Sequence, residues 1–147
     1  MEKIIHYCWF GGKPLPKLAK KCIKSWKKHL PDYKIIEWNE SNFDVNITKF
    51  SKDAYEQKKW AFVSDVARIY ALKKYGGLYF DTDMFLKKNI DDILQYDFVA
   101  GWESDSFVAA GFLAVKHSNN DIINKLFKFY CENNFSVNNV WEVTLPA

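Results

Sequence analysis

The fold of this chain is decided by the stretch Tyr75-Gly76-Gly77-Leu78-Tyr79-Phe80-Asp81-Thr82-Asp83, which joins a helical pattern to a short apolar strand. Gly76 and Gly77 stand where a left-handed helix C-cap is expected, because glycine adopts positive φ without steric cost. Residues 78–81 then predict a short central strand that leads into acidic residues. A helix that leads at once into a buried strand is typical of α/β proteins with a largely parallel sheet.

The segments on either side of this stretch repeat the alternation of strand and helix. Hydrophobic periodicity predicts further strands at 4–10, 33–38, 98–103 and 107–116, helices at 15–30, 54–75 and 118–134, and one or two helical turns within 89–95. The pattern therefore predicts an α/β fold with a mainly parallel mixed sheet. One domain covers residues 1–134, and an irregular, Asn-rich tail follows at 135–147.

Composition supports one globular domain and argues against a nucleic-acid partner. The chain has 147 residues, of which 48% are hydrophobic, so it can bury one core. The formal net charge is +3, and the basic residues cluster between Lys13 and Lys28 without regularly interleaved aromatic residues. Nucleic-acid-binding surfaces usually combine a basic cluster with interleaved aromatic residues, so nucleic acid is not an expected partner.

Cysteine usage and hydropathy indicate where the protein works. Cys8, Cys22 and Cys131 are widely spaced and form no CxxC pair, which indicates neither a disulfide framework nor a zinc site. No stretch approaches the ~20 apolar residues of a membrane span, and the N-terminus runs into a strand pattern instead of a signal peptide. We therefore expect a cytoplasmic protein.

The lysine-rich segment 17–28 fits a solvated helix face better than a surface that binds anionic lipid. Peripheral contact with the inner face of the membrane is the alternative.

Asp81 and Asp83 predict a divalent-cation site. Side chains at i and i+2 of an extended strand point the same way, so the two carboxylates are expected to project together and repel each other. A cation between them would offset that cost. Oxygen ligands suit Mg²⁺ or Mn²⁺, and ligands of open α/β sheets bind beyond the carboxyl ends of the strands.

The helix before this strand carries a second pair of charges. Residues 60–72 are apolar except at Ser64, Asp65 and Arg68, which indicates a mostly buried helix. Asp65 and Arg68 share one face and fit two interpretations: a simple intrahelical ion pair, or polar partners for a sugar or a diphosphate. Burial of charges in so apolar a helix favours the second interpretation.

His6 and Trp9 lie on the first predicted strand. His6 has no second His or Cys near metal-ligand spacing, so we expect a hydrogen-bonded core histidine. Trp9 stands at the strand end beside Gly11-Gly12, where glycines let a ligand approach the backbone. The residues alone favour base stacking and core packing equally for Trp9.

Three motifs together resemble a known family. They are Ile5-His6-Tyr7-Cys8-Trp9-Phe10-Gly11-Gly12, the segment 60–68 and the stretch 75–83. In this order they resemble the DXD sugar-binding glycosyltransferases of family 32, which include yeast mannosyltransferases and bacterial capsular-polysaccharide enzymes and are related to the large clostridial glucosylating toxins. The resemblance covers residues 3–130 and implies a GT-A fold, with a Rossmann-like nucleotide-sugar-binding sheet.

The resemblance also implies an activity and a metal. It implies a retaining glycosyltransferase that uses Mn²⁺ or Mg²⁺ and moves a sugar from a UDP- or GDP-sugar donor to a glycan or saccharide acceptor, in the synthesis of surface or capsular polysaccharide. By the same resemblance, Asp83 is the direct metal ligand. Asp81 contacts the donor ribose and sugar and reaches the metal through water.

The remaining site residues follow from the resemblance as well. Asp65 and Arg68 would hold the transferred sugar and the diphosphate side, while Trp9 would stack on the nucleobase with Tyr79 nearby. Members of the family extend beyond this length, so a truncated, non-catalytic nucleotide-sugar-binding module is an alternative. A metal-dependent phosphoryl-transfer or nuclease domain is a third hypothesis, but it needs more acidic ligands than surround Asp81.

Overall fold

A computed structural model describes residues 1–136 and shows a five-stranded sheet with helices on both faces. Most of the predicted tail, residues 137–147, lies outside the described residues. In chain order the elements are β1 (Ile4–Cys8), α1 (Lys17–His29), β2 (Lys34–Trp38), α2 (Lys49–Glu56), α3 (Trp60–Tyr75), β3 (Gly77–Phe80), a 3₁₀ helix (Asp91–Ile93), β4 (Phe98–Trp102), β5 (Val108–Val115) and α4 (Asp121–Glu132).

The sheet has the order β2-β1-β3-β5-β4, which confirms the α/β class. Strands β2 and β3 pair in parallel with β1, whereas β5 is antiparallel to both β3 and β4. Four strands therefore share one direction, and β5 alone opposes them. The chain passes from β1 to β2 on one side and later adds β3 on the other side of β1. The carboxyl ends of β1 and β3 thus form a topological switch point, where open α/β sheets bind ligands.

Two apolar clusters cover the two faces of the sheet. On one face α1 buries Trp26 against Ile5 and Tyr7 of β1, and the Trp26 ring stacks on Phe80 with 5.0 Å between ring centroids. The other face carries α2, α3 and α4, and α3 is buried along most of its length. Alternate residues of each strand supply the two clusters, because successive strand side chains point to opposite faces.

The helix predicted at 54–75 is two helices, so that expectation is wrong. Helix α2 begins earlier, at Lys49, where the side chain of Thr48 caps it. The chain turns at Lys58, which has a φ of 56°. Residues 56–59 are all exposed and bury nothing, so continuing the helix through them would gain no packing energy.

His6 ties the end of α3 to β1, which confirms the core histidine. Its ring is fully buried, its Nε2–H donates to the carbonyl of Gly76 at 2.9 Å, and its Nδ1 accepts from Trp38 Nε1 at 3.0 Å. Gly76 ends the helix at the predicted position with a φ of 67°, but its ψ of −160° differs from the left-handed C-cap that was expected. A Cβ at Gly77 would lie 2.7 Å from the carbonyl oxygen of Ile4, so only glycine lets β3 approach β1 this closely.

None of the helices among residues 1–136 combines the length and the apolar character that crossing a membrane requires.

Candidate functional site

A cleft of about 420 Å³ opens at the switch point of the sheet. Its floor is formed by the carboxyl ends of β1 and β3, and the first half of α3 forms one wall. The residues that line it are Cys8, Trp9, Phe10, Lys13, Trp60, Ala61, Ser64, Arg68, Tyr79, Asp81, Thr82 and Asp83. Three distant segments of the sequence therefore meet in one cavity.

Arg68 is the central charge of the cleft floor. Its side chain is 8% exposed, and its Nη2 lies 3.1 Å from Asp65 Oδ1 and 3.4 Å from Asp81 Oδ1. The Nη1 atom donates to the carbonyl of Ala110 at 2.7 Å, and the guanidinium carbon lies 4.7 Å from the centroid of the Tyr79 ring. One buried cation thus links α3, β3 and β5, because its planar fork reaches several acceptors at once.

Burial and mutual attraction shift the pKa values of this cluster in opposite directions. Burial acts to lower the pKa of Arg68, but Tyr79, Asp65 and Asp81 outweigh it, so the pKa is raised and the group stays charged. Burial raises the pKa of Asp65 to about 6, with Asp81 adding to the rise and Arg68 opposing it. Asp65 therefore takes up a proton at a higher pH than an exposed aspartate does.

Two other groups in the cleft remain neutral. Burial raises the pKa of Tyr79 well above its usual value, and its hydroxyl donates to Asp81 Oδ1 at 2.8 Å. Burial also raises the pKa of the Cys8 thiol to about 12. Since the thiolate is the nucleophilic form of cysteine, Cys8 lines the cleft without serving as a nucleophile.

Asp81 and Asp83 reach the cleft from a turn, which corrects the expectation of an extended strand. Strand β3 ends at Phe80, and the amide of Met84 donates to the carbonyl of Asp81 at 3.0 Å. The carboxylate of Asp81 already faces the guanidinium of Arg68, so the acidic pair does not need a bound cation to exist. Asp83 is exposed and makes no hydrogen bond or ion pair with any residue in 1–136.

The free oxygens of the two aspartates fit a hard divalent cation. The contacts of Asp81 with Tyr79 and Arg68 both use Oδ1, which leaves Oδ2 without a hydrogen bond from the described residues. Together with the exposed Asp83 it offers carboxylate oxygens, the ligands that Mg²⁺ and Mn²⁺ prefer. Across residues 1–136, no three His, Cys, Asp or Glu side chains lie close enough together to hold a metal. Ligand oxygens and water would have to complete such a site.

Hydrogen bonds fix the part of the cleft that contains Trp9 and the loop after β1. The indole Nε1–H of this half-buried residue donates to the carbonyl of Lys13 at 2.6 Å. The amide of Gly11 donates to Glu40 Oε2 at 2.9 Å. Gly11 has a φ of 97°, and a Cβ there would lie 2.7 Å from the Trp60 ring. This part of the cleft thus packs β1 directly against the start of α3.

The sequence predicted five of the twelve residues that line the cleft. Five of the predicted residues line the cleft, namely Trp9, Arg68, Tyr79, Asp81 and Asp83, whereas Asp65 lies behind Arg68 with its side chain 15% exposed. Trp60 and Ser64 line the wall and were not singled out. Their spacing of eight and four residues before Arg68 places all three on one helix face, which is the signal that could have found them. No spacing or motif in the sequence indicates that Lys13 lines the cleft.

The sequence resembles glycosyltransferases over most of its length. Residues 16–99 match the family model described as "Glycosyltransferase sugar-binding region containing DXD motif". An inositol phosphoceramide mannosyltransferase of Schizosaccharomyces pombe is 28% identical over 65% of this chain and 28% of its own length. Glucan organizing enzyme 1 of Cryptococcus neoformans is 28% identical over 70% of this chain and 29% of its own length. An uncharacterized glycosyltransferase of Acanthamoeba polyphaga mimivirus is 33% identical over 67% of this chain and 41% of its own length.

Solved structures share the fold at low sequence identity. The glycosyltransferase PaToxG superposes with a TM-score of 0.75 and 20% identity, covering 99% of this chain and 65% of that chain. A transferase mutant superposes with a TM-score of 0.64 and 11% identity, covering 92% and 81%. These matches confirm the expected GT-A fold. The chain spans well under half of the length of the curated relatives it matches.

Proposed function

The chain belongs to the family of glycosyltransferases whose sugar-binding region contains a DXD motif, and on that premise we propose a metal-dependent, retaining sugar transfer from a UDP- or GDP-sugar to a glycan acceptor. The acceptor we propose is a surface or capsular polysaccharide or a related saccharide, and the ion is Mn²⁺ or Mg²⁺. The observation that supports the proposal is the meeting of Trp9, Arg68 and the Asp81–Asp83 turn in one cleft. These residues are far apart in sequence, and no single structural need explains all three.

Trp9 and Asp83, which line the same cleft, suit two different parts of a nucleotide sugar. Trp9 offers an aromatic surface for the nucleobase, and Asp83 lies in the same cleft on the turn after β3. A divalent ion bound there would neutralise charge on the departing diphosphate. Lys13 also lines the cleft and supplies a second positive charge from the loop after β1.

Arg68 and its partners prepare the cleft for the sugar. The guanidinium holds Asp81 Oδ1 in place together with the Tyr79 hydroxyl, so the carboxylate is oriented before any ligand arrives. Such pre-organisation avoids reorganisation in the reaction itself. Ser64 lies one turn before Arg68 on the cleft wall and offers a hydroxyl to the donor. Asp65 positions Arg68 through their 3.1 Å contact. We also propose that Asp65 contacts the transferred sugar.

Donor binding and turnover should be measured together. We expect Mn²⁺-dependent binding of at least one UDP- or GDP-sugar in isothermal titration, and slow donor hydrolysis in the same buffer. Asp83→Asn should abolish the Mn²⁺ dependence, whereas Asp92→Asn, an exposed aspartate on the 3₁₀ helix, should leave it unchanged. Failure of every UDP- and GDP-sugar to bind with Mn²⁺ would refute the proposal.

A second candidate function is a nucleotide-sugar-binding module without turnover. It is favoured by the fact that the family model describes a sugar-binding region, and that the match covers 28%, 29% and 41% of the relatives' own length. The same experiment separates the two functions. Donor binding with no hydrolysis or transfer supports the binding module, and hydrolysis that disappears in Asp83→Asn excludes it.

A further inference from the structure

The outer surface of α1 is densely and uniformly basic. The helix contains no acidic residue, and its lysines are all exposed: Lys17, Lys20, Lys21, Lys24, Lys27 and Lys28. At 100° per residue these lysines occupy one arc opposite the buried residues Cys22 and Trp26. Among residues 1–136, none of them forms an ion pair. No salt bridge within residues 1–136 therefore offsets their mutual repulsion.

Exposed apolar side chains border this basic arc. Leu18 on α1 is 58% exposed, and Phe85 on the following loop is 49% exposed. The ammonium of Lys21 lies 5.6 Å from the centroid of the Phe85 ring, so the two features form one continuous surface. Lys87 and Lys88 are exposed on the same loop. We call this combined surface of α1 and residues 84–88 the basic-apolar face.

We propose that the basic-apolar face docks the protein on an anionic lipid membrane. Lysines attract anionic headgroups at about 1 kcal/mol each, and half-exposed Leu and Phe side chains can enter the headgroup boundary. Nucleic acid is the competing anionic partner, but it favours aromatic side chains interleaved with the charges for base stacking. Here Phe85 is the single exposed aromatic residue among residues 17–30 and 84–90. The charge and the apolar edge together therefore favour a lipid surface.

Two hydrogen bonds join helix α1 of the docking face to the segment that leaves the cleft after Asp83. Trp26 Nε1 donates to the carbonyl of Met84 at 2.7 Å, and the amide of Leu86 donates to Ser25 Oγ at 2.9 Å. The segment that follows Asp83 is thus anchored on α1. Docking would place the Asp83 end of the cleft next to the membrane, where an acceptor carried on a lipid could reach it. The docking itself does not depend on the proposed sugar transfer.

Vesicle co-sedimentation of the whole chain tests this proposal without any nucleotide. We expect binding to phosphatidylcholine vesicles that contain phosphatidylglycerol, no binding to pure phosphatidylcholine vesicles, and weaker binding as salt is raised. Lys20→Gln with Lys24→Gln should weaken binding about fivefold per lysine, or about 30-fold together. Phe85→Ser should weaken it about tenfold with no change of charge.

The matched control is Lys52→Gln with Lys125→Gln, on helices of the opposite face of the sheet. It removes two positive charges, as Lys20→Gln with Lys24→Gln does, and should leave vesicle binding unchanged. All replaced side chains are exposed, so circular dichroism and thermal unfolding should match the wild type. The proposal is overturned if anionic vesicles do not bind, if the control loses as much binding, or if a single-stranded RNA at equal phosphate concentration displaces the protein from the vesicles.

Discussion

Replacing His6 should change how the stability of this protein depends on pH. The buried ring donates from Nε2 to Gly76 and accepts at Nδ1 from Trp38, so one neutral tautomer satisfies both partners. Protonation would put a hydrogen on Nδ1, facing the Trp38 N–H, in a place without water. Burial accordingly lowers the pKa of His6 from 6.5 to about 4, although the bond to Gly76 opposes the shift.

The expected effect follows from the two pKa values. Between pH 6.5 and about 4 the unfolded chain binds a proton at His6 that the folded chain does not, so the free energy of unfolding falls as pH falls. The full difference is about 3 kcal/mol. Asp65 acts in the opposite direction, because its pKa is raised to about 6 and the folded state holds the extra proton. In the wild type the two contributions oppose each other, so the pH dependence of its stability alone would not isolate His6.

Comparing the stability of wild type with that of His6→Gln separates the contribution of His6 from the contributions of other groups. Urea unfolding followed by tryptophan fluorescence at pH 7, 6, 5 and 4 gives the two free energies of unfolding. At pH 7 the variant should be less stable by about 1–3 kcal/mol, because the Trp38 N–H loses its acceptor. The Asp65 contribution is common to both proteins, so the advantage of the wild type should shrink by about 3 kcal/mol down to pH 4. His117→Gln, at an exposed position, should track the wild type. If the free energies of unfolding of wild type and His6→Gln changed with pH in parallel, the proposed effect of His6 would be wrong.

Three further predictions concern the cleft. Gly111→Ala would place a Cβ 3.1 Å from Asp81 Oδ2, so Mn²⁺-dependent donor affinity should fall about tenfold in isothermal titration while stability changes by less than about 1 kcal/mol. Arg68→Met leaves the largely buried carboxylate of Asp65 and the partly exposed carboxylate of Asp81 without their cation and should lower the free energy of unfolding in urea by about 3–5 kcal/mol. Gly11→Ala would bring a Cβ within 2.7 Å of the Trp60 ring and should destabilise the protein by about 1–3 kcal/mol, with altered tryptophan emission.

Glycines elsewhere provide the controls for two of these predictions. A Cβ at Gly101 would meet no atom within 4 Å, so Gly101→Ala should not affect donor binding. Gly12 also has a positive φ but open space around it. Gly12→Ala therefore introduces backbone strain without a clash. The difference in the free energy of unfolding between Gly12→Ala and Gly11→Ala then measures the cost of displacing Trp60. Equal losses in the two variants would contradict the packing we describe.

Local patterns in the sequence identified most of the elements but misplaced two boundaries. Apolar periodicity predicted α1, α4 and every strand, because each buries one face and its spacing follows the geometry of the element. The split between α2 and α3 was missed, since residues 56–59 are good helix formers and only their exposure ends the helix. The Asp81–Asp83 turn was missed because strand β3 ends where its pairing with β5 ends, at Phe80.

Periodicity, the φ preference of glycine and residue type were enough to predict the α/β class, the glycine-bounded strand and five of the twelve residues that line the cleft. Sequence patterns could not show that Arg68 contacts Asp81, that Asp65 lies behind Arg68 or that Lys13 lines the same cavity; these contacts appear in the folded chain. The physical reason is that charge pairing and burial depend on distances between segments far apart in the chain. Those distances are fixed by how β1 and β3 pair and how α3 packs across them.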